Sequence, residues 1–245
     1  MNPLHRTAIV TGGSKGIGAA IARRLSRDGV AVAINYAHDG DAAATLLAEI
    51  TASGGRAVTV QADVGDPAGA RQLFDAAEQA FGPVDVLVNN AGSMLLSPIV
   101  DCSDDLFERQ VALNLGGVFR GMREAGRRLR EGGRIISFSS SVVGLYQPGY
   151  GIYAATKAAV EAMTHVLAKE LGPRRITVNA VAPGPVETEL FLKGKDERQV
   201  RAIAAANPFG RIGQPDDIAS VVAFLAGPDA GWVNGQVLRA NGGVI

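Results

Sequence analysis

The chain has very little cysteine and histidine, with one Cys, Cys102, and three His among 245 residues. A single cysteine cannot form an internal disulfide or a cysteine-based metal cluster, and such usage is typical of a reducing cytosol. The histidines, His5, His38 and His165, belong to no nucleophile elbow, catalytic triad or set with metal-ligand spacing. These scarcities argue against a serine hydrolase and against a metalloenzyme, and we predict no metal site.

The sequence also lacks an excess of either charge and any long apolar run. Lys and Arg number 24, as do Asp and Glu, so the formal net charge is zero. A nucleic-acid-binding face or an anionic membrane partner would require a basic excess. No segment reaches the ~20 apolar residues that span a bilayer, and residues 1–10 lack the apolar core of a secretory signal. We therefore expect a cytoplasmic protein with no nucleic-acid and no membrane partner.

What the sequence does contain is an alternation of short β-branched runs with longer Ala- and Leu-rich segments of helical spacing. Such alternation indicates parallel βαβ units, and continuous apolar strands indicate a sheet covered on both faces. The predicted fold class is therefore α/β, a single-domain, Rossmann-type, doubly wound parallel sheet of about seven strands. The predicted strands are Thr7–Val10, Ala31–Asn35, Ala57–Gln61, Val84–Val88, Arg134–Phe138, Ile176–Val181 and Gln236–Arg239. The predicted helices are Gly18–Asp28, Ala42–Ala52, Ala68–Phe81, Asp104–Arg130, Tyr153–Leu171 and Pro215–Leu225.

One stretch, 184–213, fits this alternation poorly. It follows the sixth predicted strand and mixes Gly and Pro with charged residues. In doubly wound sheets ligands bind at the carboxyl ends of strands, and functional loops lie there. We interpret 184–213 as a substrate lid, with a surface excursion of no function as the alternative. No linker or repeat divides the chain, so residues 1–245 are predicted to form one dinucleotide-binding and catalytic domain.

A glycine-rich turn follows the first predicted strand. The run Thr11-Gly12-Gly13-Ser14-Lys15-Gly16-Ile17-Gly18 leads directly into a helical segment. Its glycines are spaced for a strand–turn–helix whose backbone N–H groups and helix N-terminus face a diphosphate. Because the turn stands at the first strand-to-helix junction of an α/β chain, it predicts a dinucleotide site. The contacting residues would be Gly12, Ser14, Lys15, Gly16, Ile17 and Gly18.

The end of the second strand bears on the choice of cofactor. An NAD site usually has an acidic residue there to bind the ribose 2′-hydroxyl, whereas this chain has Asn35. An amide can donate a hydrogen bond to a 2′-phosphate, and Lys15 supplies positive charge from the glycine turn. Both features favour NADP(H) over NAD(H). The expected contacts are Asn35, Tyr36, Ala37 and His38, with an ordinary loop position as the alternative for the histidine.

Tyr153 and Lys157 lie at the start of a predicted helix. Positions i and i+4 share one helix face, which sets a phenol beside an ammonium group. A free tyrosine has a pKa of about 10. A neighbouring cation lowers that pKa towards the pH at which proton transfer is efficient. The pair is therefore a candidate acid–base couple.

Other polar residues stand close to the ends of predicted strands. Ser140 ends the fifth strand, where its hydroxyl could hold a carbonyl oxygen beside the phenol, and Asn89–Gly92 ends the fourth. Asn114 lies among apolar residues of a long helix, where a buried amide needs a partner. Together with Tyr153 and Lys157, these residues predict chemistry on a carbonyl or an alcohol.

At these residues the sequence resembles the classical short-chain dehydrogenase/reductase family, and the resemblance covers essentially the whole chain. The joint occurrence of the motifs in this order is specific, whereas each motif alone is not. The pattern is similar to bacterial 3-oxoacyl-carrier-protein reductases. The matching motifs are Thr11–Gly18, Asp63-Val64, Asn89–Gly92, Asn114, Ser140, Tyr153-x-x-x-Lys157 and Pro183-Gly184 followed by Thr188.

The resemblance implies a role for each matching residue. Tyr153 would be the general acid in reduction and the general base in oxidation, and Ser140 would hydrogen-bond the substrate oxygen. Lys157 would hold the nicotinamide ribose and lower the tyrosine pKa, and Asn114 would anchor a water on the proton path. The nicotinamide supplies the hydride. Cofactor contacts would come from Asp63 and Val64 at the adenine, Asn90, Ala91 and Gly92 at the adenosine ribose and ring region, and Pro183, Gly184, Val186 and Thr188 at the carboxamide or phosphates.

The catalytic serine belongs to a run of three, Ser139 to Ser141. Counting forward through the strand from Arg134 and counting back from Tyr153 both give Ser140. Matching the local Ser-Val-Val-Gly string gives Ser141 instead. We prefer Ser140 because two anchors agree. Neighbours on an extended strand point to opposite faces, so only one of these two can serve without local distortion.

The predicted function is an NADP(H)-dependent oxidoreductase that interconverts a carbonyl and a secondary alcohol. A 3-oxoacyl reductase is one candidate, and small ketones, sugars or quinones are alternative substrates. An alternative from another class is a catalytically silent nucleotide-binding sensor or scaffold. Such a module would keep the glycine turn but would not need the polar set around Tyr153.

Further residues suggest a pocket and partners. Arginines of 127–130 and 174–175 are placed on the expected active-site side, where they could meet an acyl carrier protein, with solvated charges as the alternative. The resemblance implies a homotetramer, and small apolar residues on Asp104–Arg130 and Tyr153–Leu171 permit close helix packing. The candidate pocket residues are Met94, Leu95, Tyr146, Tyr150, Leu190 and Phe191, and the arginines are Arg127, Arg128, Arg130, Arg174 and Arg175.

Overall fold

Short β-branched runs pair as parallel strands in the computed structural model, which describes residues 6–245. Residues 1–5 lie outside the described residues. They include His5 and half of the segment 1–10, which is predicted to lack the apolar core of a secretory signal. Within 6–245, seven strands form one parallel sheet in the order β3-β2-β1-β4-β5-β6-β7. This confirms the predicted doubly wound α/β class. The strands are β1 Thr7–Val10, β2 Ala31–Tyr36, β3 Ala57–Gln61, β4 Val86–Asn89, β5 Arg134–Phe138, β6 Thr177–Pro183 and β7 Val237–Ala240.

Helices connect successive strands and cover both faces of the sheet. The long helix predicted over Asp104–Arg130 is interrupted by one π-helical turn, Ala112–Gly117. The stretch 184–213 contains two helices where the sequence predicts irregular chain. The helices are α1 Gly16–Arg27, α2 Gly40–Ala52, α3 Gly69–Phe81, α4 Asp104–Val111, α5 Val118–Arg128, α6 Val142–Leu145, α7 Gly151–Glu170, α8 Glu189–Leu192, α9 Glu197–Ala206 and α10 Pro215–Ala226.

The period-2 alternation of strand side chains produces two separate cores. Ala8 and Val10 of β1 belong to one core, which α1 and α10 cover. Ile9, between them in sequence, belongs to the other, which α3, α5 and α7 cover. Both faces of the central strands are therefore buried in apolar contacts, and water reaches the sheet mainly at its edges and strand ends.

The strand order locates the site. β1 pairs with β2 on one side and with β4 on the other. The strand order therefore reverses direction between β1 and β4. A crevice opens at such a switch point, outside the carboxyl ends of the strands. On the β6 side, a parallel bridge between Val186 and Gly213 ties together the two ends of the 184–213 stretch.

Candidate active site

The glycine-rich turn has a shape that only glycine permits. Gly12 and Gly16 have φ of +57° and +52°, in the left-handed region that favours glycine. A Cβ on Gly18 would lie 2.2 Å from the carbonyl oxygen of Gly12. The Asn90 amide donates to the carbonyl oxygens of Thr11 and Gly12, at 2.9 and 3.0 Å. The turn is therefore fixed against the start of α1.

The N-terminus of α1 has the properties of an anion site. No side chain caps it, and its first turn contains no acidic residue. Open backbone N–H groups and the helix dipole favour a negative group there. Ser14, Lys15 and Ile17 complete the turn, and Ile17 also lines the adjoining cavity. A dinucleotide diphosphate fits this cradle, because the glycines allow its oxygens to approach the backbone.

Lys15 connects three segments of the site. Its Nζ lies 2.6 Å from Asp39 Oδ2, after β2, and 3.4 Å from Glu189 Oε2, at the start of α8. Hydrogen bonds to both carboxylates raise the pKa of Lys15, and the Lys15 ammonium lowers the pKa of Asp39. The cation predicted beside the ribose is therefore present but engaged by two exposed carboxylates, from which an incoming phosphate could take it over.

The predicted use of the Asn35 amide as a donor to a 2′-phosphate is wrong. The Asn35 side chain is buried, with 2% of its surface exposed. Its Nδ2 donates to the carbonyl oxygen of Ala62 at 2.8 Å, and its Oδ1 accepts from the Gly12 N–H at 3.2 Å. The amide therefore joins the end of β3 to the glycine turn. The more exposed residues after β2 and β3 stay candidates for contacts that distinguish the two cofactors.

Those groups surround the expected adenosine end. Tyr36 and Ala37 are half-buried and His38 is exposed. Asp63 is exposed too, and its Oδ1 accepts from the Gly65 N–H at 2.8 Å. Val64 is buried beside it. The structure thus brings the predicted adenosine residues to one rim of the crevice.

Thr11, to which the sequence assigned no role of its own, fixes the chain after β4. Its Oγ1 accepts from the N–H groups of Asn90 and Ala91, at 3.0 and 2.9 Å. Gly92 follows, where a Cβ would lie 3.2 Å from Asn114 Oδ1 and 3.5 Å from Lys157 Nζ. The available signal was the pairing of adjacent parallel strands, which sets the residue after β1 beside the residues after β4.

The three consecutive serines have different partners. Ser139 Oγ donates to Glu161 Oε1 at 2.6 Å, and Ser141 Oγ donates to the Ala182 carbonyl oxygen at 3.3 Å while accepting from the Asn241 amide. Both are buried. Ser140 is half-buried, lines the same cavity as Tyr153, and acts to lower the pKa of that phenol. The geometry thus brings Ser140, rather than Ser141, to the phenol.

Tyr153 and Lys157 share one face of α7, and burial shifts the pKa of both. Lys157 Nζ donates to the Phe138 carbonyl oxygen at 2.9 Å and lies 5.7 Å from the centroid of the Tyr153 ring. Burial raises the pKa of Tyr153, against the effect of the Ser140 hydrogen bond. Burial also lowers the pKa of Lys157 to about 8. In the protein alone desolvation dominates the pKa of Tyr153; the lowering of that pKa by Lys157 stays a prediction.

The buried amide of Asn114 has the partners that its sequence context required. It lies in the π-helical turn, a feature often found at functional sites. Its Oδ1 accepts from the Ser93 N–H at 2.9 Å, and its Nδ2 donates to the Ser93 carbonyl oxygen at 2.8 Å and to Thr156 Oγ1 at 3.4 Å. Asn114 therefore links the chain after β4 to α7, one residue from Lys157.

A cavity of about 580 Å³ opens beside Tyr153 and Ser140. Among the predicted pocket residues, Met94, Tyr150, Leu190 and Phe191 line it. Tyr146 and Leu95 do not; Tyr146 is 78% exposed. Further lining residues that the sequence did not indicate are Val142, Leu145, Gln147, Lys195, Ile203, Ala206 and Val244.

The chain after β6 closes the far wall of this cavity. Pro183, Gly184, Val186 and Thr188 all line it. Thr188 Oγ1 accepts from the Phe191 N–H at 3.2 Å and so caps α8. The four predicted cofactor contacts of this turn therefore lie in one wall, which continues directly into α8.

The arginines proposed to flank the active site lie at the amino ends of the strands, on the opposite side of the sheet from the cavity. Arg130 pairs with Asp85 at 2.6 Å, immediately before β4. Arg174 and Arg175 stand before β6, and Arg128 pairs with Glu78 of α3. Residues that precede parallel strands lie at their amino ends, whereas the cavity lies at the carboxyl ends. The predicted placement is wrong, although the chain order already contained this information.

Within 6–245, no group of three or more His, Cys, Asp or Glu side chains could hold a metal ion. In that part of the chain no helix is both long enough and apolar enough to cross a bilayer. The polar side chains that line the cavity are hydroxyls, amides and lysines.

A phosphate-binding turn beside a Ser–Tyr–Lys cluster at a sheet switch point defines a nucleotide-dependent oxidoreductase of the doubly wound class. The family model described as enoyl-(acyl carrier protein) reductase matches residues 12–245. The chain belongs to the short-chain dehydrogenase/reductase family, as the sequence resemblance predicted.

Relatives match over nearly the full length. The chain is 46% identical to an NADPH-dependent aldehyde reductase-like chloroplastic protein of Arabidopsis thaliana, covering 98% of this chain and 94% of that one. A short-chain dehydrogenase from Burkholderia cenocepacia in complex with NADP superposes with a TM-score of 0.92 at 40% identity, with 98% of each chain covered. A Serratia marcescens short-chain dehydrogenase/reductase gives 0.94 at 39% identity, with 99% of each covered.

Proposed function

We propose that the protein is an NADPH-dependent carbonyl reductase in which Tyr153 donates the proton. The observation that carries the proposal is the presence of Ser140, Tyr153 and Lys157 together in the wall of one largely apolar cavity. The anion cradle of the glycine turn and α1 lies on the same edge of the sheet. Relatives named for NADPH use or solved with NADP support this choice of cofactor.

The residues divide the work as follows. The cofactor diphosphate would lie on the N-terminus of α1, with Lys15 towards the adenosine end, and the bound nicotinamide supplies the hydride. Ser140 orients the carbonyl oxygen, and Tyr153 protonates it. The raised pKa keeps the phenol protonated at neutral pH, which suits a general acid in the direction of reduction. Lys157 holds the ribose side, and Asn114 positions the chain around it.

Substitution of Tyr153 tests this assignment. Tyr153→Phe keeps the ring but removes the proton, so kcat for NADPH oxidation with carbonyl substrates should fall about 100- to 10,000-fold. The dissociation constant for NADPH should not change. Tyr146→Phe is the control, because that phenol is exposed and outside the cavity wall. NADPH binding with no turnover on any carbonyl, and no effect of Tyr153→Phe, would instead support a silent nucleotide-binding module.

The proposed substrate class is tested by measuring NADPH oxidation with a panel of carbonyl compounds. A 3-oxoacyl reductase should reduce acetoacetyl thioesters, whereas the alternatives are small ketones, sugars and quinones. Inert acetoacetyl thioesters beside rapid turnover of the others would contradict the acyl reductase. An acyl carrier protein as partner stays a prediction, and the arginines at the amino ends of the strands give it no support.

The assembly and the location also stay predictions. Phe107, Phe119 and Val166 are about half exposed on α4, α5 and α7, which supports helix packing between subunits of the proposed homotetramer. A cytoplasmic location is the expectation from the sequence, while the Arabidopsis thaliana relative is named as chloroplastic. The proposed lid role of 184–213 is supported by Leu190, Phe191 and Ile203 in the cavity wall.

A further inference from the structure

The charged residues of the cavity wall are of one sign. Within the described chain, its lining contains two lysines, Lys157 and Lys195, and no aspartate or glutamate. Lys157 lies at the catalytic end, beside Tyr153. Lys195 lies in the 184–213 stretch, between α8 and α9. The rest of the wall is mostly apolar, with Met94, Leu145, Ile203 and Val244 among its residues.

Lys195 is held against this wall. Its Nζ donates to the Phe191 carbonyl oxygen at 2.6 Å and lies 4.5 Å from the centroid of the Phe191 ring. Burial lowers the pKa of Lys195, and no carboxylate opposes that effect. Among the described residues, no ion pair involves Lys195. This ammonium group is partly removed from water and contacts a carbonyl oxygen and an aromatic ring. It can therefore still bind an anion.

The carboxylates next to Lys195 in sequence form their contacts with other groups. Asp196, its neighbour, accepts from the Gln199 N–H and caps α9. Glu197 pairs with Arg201 at 3.0 Å on the same helix. Lys193 is exposed and absent from the cavity wall. The nearby charges are thus turned to solvent or used locally, and Lys195 is the cation of this segment that the cavity reaches.

We propose that Lys195 determines substrate specificity by binding a carboxylate at the far end of a carbonyl substrate. The substrate class would be oxo acids with an apolar body between an aldehyde or ketone and the acid group. The inference rests on the proposed reductase function for the carbonyl end, whereas recognition of the carboxylate requires only the cavity and Lys195. A carboxylate would make a charge-assisted hydrogen bond with the ammonium group in partly desolvated surroundings.

A matched pair of ligands tests this directly. The dissociation constants of 4-formylbenzoate and its methyl ester are measured by calorimetry for the protein with NADP+ bound, and kcat/KM is measured for both with NADPH. The wild-type protein should favour the acid about fivefold in both measurements, the size of one partly exposed charge pair. Lys195→Met keeps the length of the side chain and should abolish the preference. Lys193→Met removes a nearby exposed charge and should leave it intact.

The outcomes separate the two proposals. Equal binding of acid and ester by the wild-type protein, or a preference that survives Lys195→Met, overturns the role of Lys195. Weaker NADPH binding in Lys195→Met with an unchanged acid preference also overturns it, because the lysine would then serve the cofactor phosphates. An acid preference in binding that Lys195→Met removes supports the carboxylate site even where neither ligand turns over; if no other carbonyl turns over either, the proposed reductase fails while the carboxylate site stands.

Discussion

The glycine turn and the 184–213 stretch both border the cavity, yet they are built in opposite ways. In the turn, close contacts specify each backbone group, as with the 2.2 Å that would separate a Gly18 Cβ from the Gly12 oxygen. In the 184–213 stretch, neither α8 nor α9 buries a residue. α8 and α9 are stabilised instead by their own caps, Thr188 and Asp196.

The difference agrees with the ligand proposed for each region. A diphosphate offers the same oxygens in every turnover, so a rigid arrangement of N–H donors binds it without reorganisation. A substrate wall that accommodates different apolar bodies gains from weaker tertiary constraint, and regions with few buried contacts open at low free-energy cost. The cofactor side is therefore specified by packing and the substrate side by exposed side chains. Lys15 and Glu189 form an ion pair between them.

The largest expected effect separates the two regions through glycine. Gly18→Ala adds a methyl group that meets backbone, so the free energy of unfolding should fall by about 3 kcal/mol. NADPH binding should weaken on the order of 100-fold, because the phosphate cradle is displaced. Gly194→Ala is the control, since its φ is +76° but no atom lies within 4 Å. It should cost about 1 kcal/mol, from the backbone alone. Equal losses, measured by denaturant titration and calorimetry, would contradict the contrast between the regions.

A smaller effect on the free energy of unfolding should appear at Lys157. Burial of its charge destabilises the folded state on the rigid side of the cavity. Lys157→Met should abolish reduction yet raise the free energy of unfolding by about 2 kcal/mol at pH 7, after the lost hydrogen bond to Phe138 is counted. The pKa of Lys157 is lowered to about 8, so between pH 8 and 10.5 the unfolded state binds more protons than the folded state. Wild-type stability therefore rises with pH there, and the advantage of the variant should shrink. Thermal unfolding from pH 6 to 10 measures it, and a variant less stable at pH 7 would refute this account.

The smallest expected effect concerns the ion pairs of Lys15. Asp39→Asn removes a carboxylate that competes with a 2′-phosphate, so NADPH should bind about fivefold tighter while NADH binding stays unchanged. Asparagine still caps α2, which limits the loss of stability. Asp41→Asn, an exposed change in the first turn of the same helix, is the control. Fluorescence titration with both cofactors decides the matter, and a parallel gain for NADH would exclude discrimination at this position.

Sequence patterns predicted the elements of the fold better than the contacts of the site. Seven strands were predicted, and each is found, with small shifts such as Val84–Val88 against Val86–Asn89. Apolar periodicity carries this information, because burial on two sheet faces constrains every strand residue. The π-helical turn at Ala112–Gly117 was not predicted, because one extra residue in a turn scarcely changes the apolar periodicity over Asp104–Arg130.

Residue types at the site were predictable, but their partners were not. Asn35 has the amide that a phosphate could use, yet Ala62 and Gly12 occupy it. The spacing of Tyr153 and Lys157 predicts a shared helix face, whereas their pKa values depend on burial that spacing does not report. Lys195 was not singled out, because a lysine in a charged loop has no sequence pattern that distinguishes a cavity wall from solvent.

The bridge between Val186 and Gly213 gives the 184–213 stretch the properties of an exchangeable cassette. Its ends are joined by the bonds from Gly213 N–H to the Pro185 oxygen, at 2.8 Å, and from Glu187 N–H to the Gly213 oxygen, at 2.9 Å. The entropy of closing the intervening loop grows only slowly with its length. Insertions and deletions between Glu189 and Gly213 therefore cost the sheet little free energy, and this wall of the cavity can change while the strands and Thr188 keep their geometry.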